Sequence, residues 1–174
     1  NPEAKIVVLS AMSGTTNALV GICEQLYKRN MDAAKHLIDA LHATYSNVIA
    51  ELFSKPEFLT KGEQLISNHF NHLQSFTLDM FTVNEEKAIL AQGELLSTAL
   101  FHYYLEECGI PSVLLPALNF MRLDAREEPD MEYISKHLRQ ELELHKNNIL
   151  FITQGYICRN AYGEIDNLKR GGSD

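Results

Sequence analysis

Lys5-Ile-Val-Val-Leu9, running directly into Ser10-Ala-Met-Ser-Gly-Thr-Thr-Asn17, decides the fold. A short β-branched, apolar run suits a strand buried on both faces of a parallel sheet. The stretch after it is small and hydroxyl-rich, and the stretch after that reads as a helix with Leu19, Cys23, Leu26 and Tyr27 on one face. Strand, small-residue loop and helix form a βα unit that presents its loop at the carboxyl end of the strand. The loop has one glycine, Gly14, and no Gly-Lys-Ser/Thr, so it is neither a P-loop nor a GxGxxG fingerprint. Two readings stay open for it: a plain βα turn, or a ligand loop.

Downstream, the apolar period changes from two to between three and four. Leu37, Leu41, Tyr45, Val48, Ile49 and Leu52 predict one amphipathic helix. Ile66, His69, Phe70, Leu73, Phe76, Thr77 and Met80 predict a second after the break at Pro56. A third helix is expected from about Asn84, as its cap, to Cys108, with Gly109 as its stop signal. Residues from about 30 to 108 are therefore a mostly helical excursion from the sheet. Ser112-Val-Leu-Leu115 and Ile149-Leu-Phe-Ile-Thr153 read as further buried strands, ended at Pro116 and Gly155. Between them a helix starts near Asp130, with Ile134, Leu138 and Leu142 aligned. Residues 157–168 read as a hairpin turning at Asn160-Ala-Tyr-Gly163. Helix alternating with buried strand makes the class α/β.

Composition narrows the function. The chain has 174 residues, 45% of them apolar, with a formal net charge of −8 and no dense Lys/Arg run. This suits one soluble globular domain and argues against nucleic acid or an anionic membrane as the main partner. No apolar run approaches the ~20 residues that span a bilayer. Cys23, Cys108 and Cys158 are odd in number and lack CxxC spacing, as expected of free thiols in a reducing, cytoplasmic compartment. The chain opens on Asn1 rather than Met, almost at once on a strand, so an N-terminal piece is expected to precede it.

Three segments fall where an α/β protein builds its site: Ser10 to Asn17, Gly155-Tyr156, and the terminal Arg170-Gly-Gly-Ser-Asp174. In the last, Arg170 offers a planar, permanently charged fork for a carboxylate or phosphate. Gly171 and Gly172 let backbone N–H groups come close to an anion. Gln92-Gly93-Glu94-Leu95-Leu96-Ser97 is a second unusual stretch, because glycine inside a helix costs about 1 kcal/mol relative to alanine. Glu94 is either a solvent-facing glutamate or a carboxylate aimed at a substrate ammonium. His69 and His72 lie three apart without an HExxH pattern, so no metal site is assigned. Glu85-Glu86 and Glu127-Glu128 read as solvated helix starts.

Together these motifs resemble the aspartate kinases of the amino-acid kinase superfamily. Val7-Val-Leu-Ser-Ala-Met-Ser-Gly-Thr-Thr-Asn17 is similar to that family's V-V-S-A-x-x-G-x-T-N. Gly93-Glu-Leu-Leu-Ser97 resembles its G-E-x-x-S, and Arg170-Gly-Gly-Ser-Asp174 its R-G-G-S-D. Ile152-Thr-Gln-Gly-Tyr-Ile157 resembles its I-T-Q-G-F-I, with Tyr156 in place of Phe. The resemblance implies a three-layer α/β/α sandwich, present in part, with a large helical insertion. The family's K-F-G-G-T-S segment, its W-T-D nucleotide segment and its C-terminal ACT domains are not in these 174 residues. Residues 1–174 are thus expected to be part of a catalytic domain, holding most of an amino-acid pocket and little of an ATP pocket.

The activity so implied is transfer of the γ-phosphoryl of MgATP to the β-carboxylate of L-aspartate, in the intact enzyme. Such a step opens the biosynthesis of lysine, threonine and methionine. The family match carries Arg170 over as partner of the α-carboxylate and Glu94 as partner of the α-ammonium. Ser10, Thr16 and Ser173 would bring hydroxyls to the substrate, with Ser10 also at the transferring phosphate. Asp174 would organise the catalytic lysine, and Gly14, Gly171 and Gly172 would line the phosphate loop. L-Aspartate and ATP are the expected partners, with no nucleic acid, membrane or resident metal. This piece alone is expected to be inactive and to hold no MgATP, and the full-length protein to be a homo-oligomer. Two alternatives stay open: a non-catalytic amino-acid-binding or regulatory module, and a sister kinase with another acidic substrate.

Overall fold

The computed structural model describes residues 3–78 and 80–168. The parallel strands β1 (Lys5–Leu9), β2 (Val113–Leu115) and β3 (Leu150–Gln154) form one sheet in the order β1-β3-β2. The last strand in sequence is therefore the central one. Register pairs Leu9 with Gln154 and Leu115 with Thr153, which aligns the carboxyl ends of all three. The hairpin β4 (Ile157–Arg159) and β5 (Ile165–Asn167) follows as expected, and Asn160 closes its turn by accepting the N–H groups of Tyr162 and Glu164.

Helices pack on both faces of the sheet. One face carries the helical excursion: α1 (Thr15–Tyr27), α2 (Met31–Leu52), α3 (Pro56–Ser75), α4 (Val83–Leu90) and α5 (Gln92–Glu107). Their apolar faces make one core, from Leu19, Ile22 and Leu26 through Ile38, Tyr45 and Ile49 to Ile66, Leu73 and Leu96. The buried stripe of α2 is Ala34, Ile38, Leu41, Tyr45 and Ile49, while Leu37 faces outward. α2 and α3 cross closely at Gly62, where a Cβ would sit 3.1 Å from the Phe53 ring and 3.2 Å from Ile49. On the other face α6 (Ala117–Phe120) and α7 (Met131–Leu144) build a second core with Phe120, Ile134, Phe151 and Leu115.

Five sequence expectations are corrected. β1 is not buried on both faces: among the described residues it pairs with β3 alone, and Ile6 and Val8 are 42% and 52% exposed beside an apolar cleft that Phe120, Met121 and Leu138 also line. The helix of α3 stops at Ser75, which leaves Met80 exposed on the connection to α4. The stretch from Asn84 to Cys108 is two helices rather than one. The Gln92 side chain donates to the Ala88 carbonyl, which an unbroken helix would offer to the Gln92 backbone, and the chain turns at Ala91. The cap of α4 is Thr82, not Asn84, in a reciprocal capping box with Glu85. Lastly, Glu127 and Glu128 do not start a helix. They close a turn on Asp124, with Glu127 at φ 61°, and Asp130 caps α7 by accepting the Tyr133 N–H.

Candidate functional site

The site begins where β1 and β3 end side by side. The Gly155 N–H donates to the Leu9 carbonyl at 2.9 Å, so the Ser10 loop and the Gly155-Tyr156 turn leave the sheet together. Gly14 sits at the N-cap of α1 with φ 83°, and a Cβ there would meet nothing within 4 Å. Its glycine answers a backbone demand rather than a lack of space. Ser10 and Thr16 are exposed on either side of this turn, and Thr15 between Gly14 and Thr16 is buried.

Helix α5 holds the loop from beneath. A Cβ on Gly93 would lie 2.8 Å from the Ala11 Cβ, so only glycine lets the helix approach this closely. Glu94 accepts the Ala11 N–H at 3.3 Å, and the Ser97 hydroxyl donates to the Ser10 carbonyl at 2.8 Å. Thus three positions of Gly93-Glu94-Leu95-Leu96-Ser97 act on one peptide of the loop. The sequence reading missed the parts of Ser97 and Ala11. The motif spacing was their only signal, since one helical turn brings residues 94 and 97 to one side.

Glu94 is buried, with 4% of its surface exposed, which removes the solvent-facing alternative. Among the described residues no Lys, Arg or His forms an ion pair with it. Burial pushes its carboxyl above the ordinary glutamate range, and the Ala11 N–H opposes that only in part. A desolvated carboxylate without a cation is expensive, and a bound ammonium would relieve it.

Gln154, also missed, joins the strand ends. Its Oε1 accepts the Ala117 N–H and its Nε2 donates to Thr98 Oγ1, both at 2.8 Å; Thr98 in turn donates to the Glu94 carbonyl at 2.7 Å. The turn of α5 bearing Glu94 is thereby tied to the central strand. Tyr156 is at φ 60°, and the Ile157 N–H reaches back to the Gly155 carbonyl at 2.6 Å, a strained γ-turn. Its carbonyl accepts the Leu168 N–H at 2.6 Å, so residue 168 lies against the end of β3. Burial, then the charge of Glu94, raises the Tyr156 phenol pKa.

Arg170, Gly171, Gly172, Ser173 and Asp174 lie outside the described residues. The histidine pair is structural: His69 Nδ1 donates to Gln92 Oε1 at 2.6 Å, and His72 packs edge-on against Phe76. Among the described residues no group of three His, Cys, Asp or Glu side chains could hold a metal, and no helix is long and apolar enough to cross a membrane.

Residues 3–174 match the amino acid kinase family. Lysine-sensitive aspartokinase 3 of Escherichia coli (strain K12) is 30% identical over 181 residues, covering 99% of this chain and 38% of that protein. The aspartokinase of Chlamydia pneumoniae is 27% identical over 175 residues, covering 99% of this chain and 37% of that one. The structure of E. coli aspartokinase III in complex with aspartate and ADP, in its R-state, superposes with a TM-score of 0.78 at 28% identity, over 97% of this chain and 38% of that one. The chain therefore spans less than two-fifths of the length of these relatives.

Proposed function

Because the chain belongs to the amino acid kinase family, we propose that it is the acceptor-binding part of an aspartate kinase. The intact protein transfers the γ-phosphoryl group of MgATP to the β-carboxylate of L-aspartate. The observation that carries this reading is the buried Glu94 carboxylate, without a cationic partner among the described residues, beneath a hydroxyl-bearing loop at the carboxyl ends of two parallel strands. The ammonium of an amino acid completes that site. The aspartokinase names of the relatives support the same substrate.

The chemistry needs little from the protein beyond placement. A carboxylate is already an anionic nucleophile at neutral pH, so one of its oxygens attacks the γ-phosphorus while the bond to ADP breaks, and no proton is removed. Magnesium arrives with ATP as part of the co-substrate. Glu94 holds the α-ammonium, and Arg170 pairs with the α-carboxylate through a bidentate fork. Ser10, Thr16 and Ser173 hydrogen-bond the substrate, with Ser10 also at the transferring phosphate. Gly14, Gly171 and Gly172 expose N–H groups to the phosphates, and Asp174 organises the catalytic lysine. An acyl phosphate is trapped by hydroxylamine as a hydroxamate. The intact protein is expected to yield aspartyl hydroxamate from ATP and L-aspartate, and far less product from L-glutamate. Failure to form it would sink the assignment.

A further inference from the structure

The loop bearing Ser10, Gly14 and Thr16 is fastened a second time, from the helical excursion. Thr15 turns its side chain inward and is 2% exposed, and its Oγ1 lies 3.0 Å from the Tyr45 hydroxyl. Tyr45 belongs to α2, thirty residues away, and is fully buried with its ring 5.9 Å from that of Phe70. A phenylalanine would fill the same apolar space, and the hydroxyl adds a contact to the loop. The charge of Glu94 acts on this phenol, so the bond lies within the field of the proposed ammonium site.

We infer that Tyr45 is a positioning residue for the amino-acid substrate: through Thr15 it fixes the first turn of α1, so that Ser10 and Thr16 face the acceptor. Thr15 stands between Gly14, whose left-handed φ makes the turn, and Thr16, whose hydroxyl meets the substrate. Holding one side chain therefore fixes both neighbours. The inference rests on the aspartate kinase reading, and it makes the helical excursion part of the site.

Tyr45→Phe in the intact enzyme keeps the ring and removes the hydroxyl. The KM for aspartate is expected to rise about two- to tenfold, the worth of one neutral hydrogen bond, by more than kcat falls through Ser10, with the KM for ATP held within about twofold. Thr15→Val is expected to match it, Thr15→Ser to restore the parent value, and the double variant to be no worse than either single one. An unchanged aspartate KM in Tyr45→Phe, or two effects that multiply, overturns the inference. Amide hydrogen exchange provides a readout independent of aspartate: the Thr15 and Ala18 amides, bonded to the Met12 and Gly14 carbonyls, should exchange faster in both variants, with β3 unaffected. If the parent enzyme does not phosphorylate aspartate, the functional reading fails, and unchanged exchange at Thr15 and Ala18 would then overturn the fastening as well.

Discussion

Glu94 bears two opposed demands. The fold keeps its carboxylate dry, and the proposed substrate needs it charged. Its pKa is raised in the fold, so its contribution to stability is fully present below the ordinary glutamate pKa of the unfolded chain. That contribution is lost as the pH climbs through the raised value. Above that raised value the unliganded protein holds a destabilising charge. Glu94→Gln removes it while leaving an oxygen for the Ala11 N–H. The variant is expected to melt higher than the parent at neutral pH, with the gap closing on acidification, as followed by thermal unfolding across that range. The same substitution should raise the KM for aspartate about ten- to a hundredfold, the worth of one hydrogen bond to a charged group. A stability gain coupled to a loss of affinity would separate a binding residue from a structural one.

At the scale of elements, the contact of α5 with the Ser10 loop is the most demanding. Gly93→Ala gains helix propensity of about 1 kcal/mol. It also drives a methyl group against Ala11, and overpacking of that kind costs about 1–3 kcal/mol. Chemical denaturation is expected to show a net loss, and the aspartate KM is expected to rise as the loop is displaced. A second joint lies at the other end of α5. Glu107 accepts the backbone N–H groups of Ser54 and Lys55 at 2.9 and 2.6 Å, capping α3 from another helix, and the Lys55 N–H bond is the main reason its carboxyl titrates below the usual range. Stability from such a group is present above the ordinary carboxylate pKa and lost as the pH falls through the lowered one. Glu107→Ala should therefore lower Tm at neutral pH and change it little in acid.

How far these elements were legible follows from what set them. Strand runs and caps are local: β3 and the hairpin are legible in their apolar runs and turn residues, and Thr82-x-x-Glu85 is itself a capping-box pattern, although the helix start was expected at Asn84. The break at Ala91 is not local. Apolar periodicity continues through it, and the Gln92 side chain and the approach of Gly93 to Ala11 decide it. The two sides of Glu94 likewise looked alike until packing placed the loop over one of them. The bond between Thr15 and Tyr45 joins positions thirty apart and leaves no periodic trace.

For the whole molecule, a three-stranded sheet places its last strand in the middle, and that order brings the Ser10 loop and the Tyr156 turn to one edge. The helices of residues 31–75, an excursion from the sheet in sequence, become in space the support under the loop through Tyr45. In the proposed reading the site formed there selects for an ammonium, because Glu94 is dry and lacks a cation among the described residues. Succinate carries the two carboxylates of aspartate without the ammonium. The most direct measurement is kcat/KM of the intact protein for L-aspartate against succinate, with phosphoryl transfer followed by hydroxylamine trapping. The account predicts preference for aspartate by at least about tenfold, the worth of one charged hydrogen bond. Equal use of succinate, or no transfer to aspartate, would contradict it.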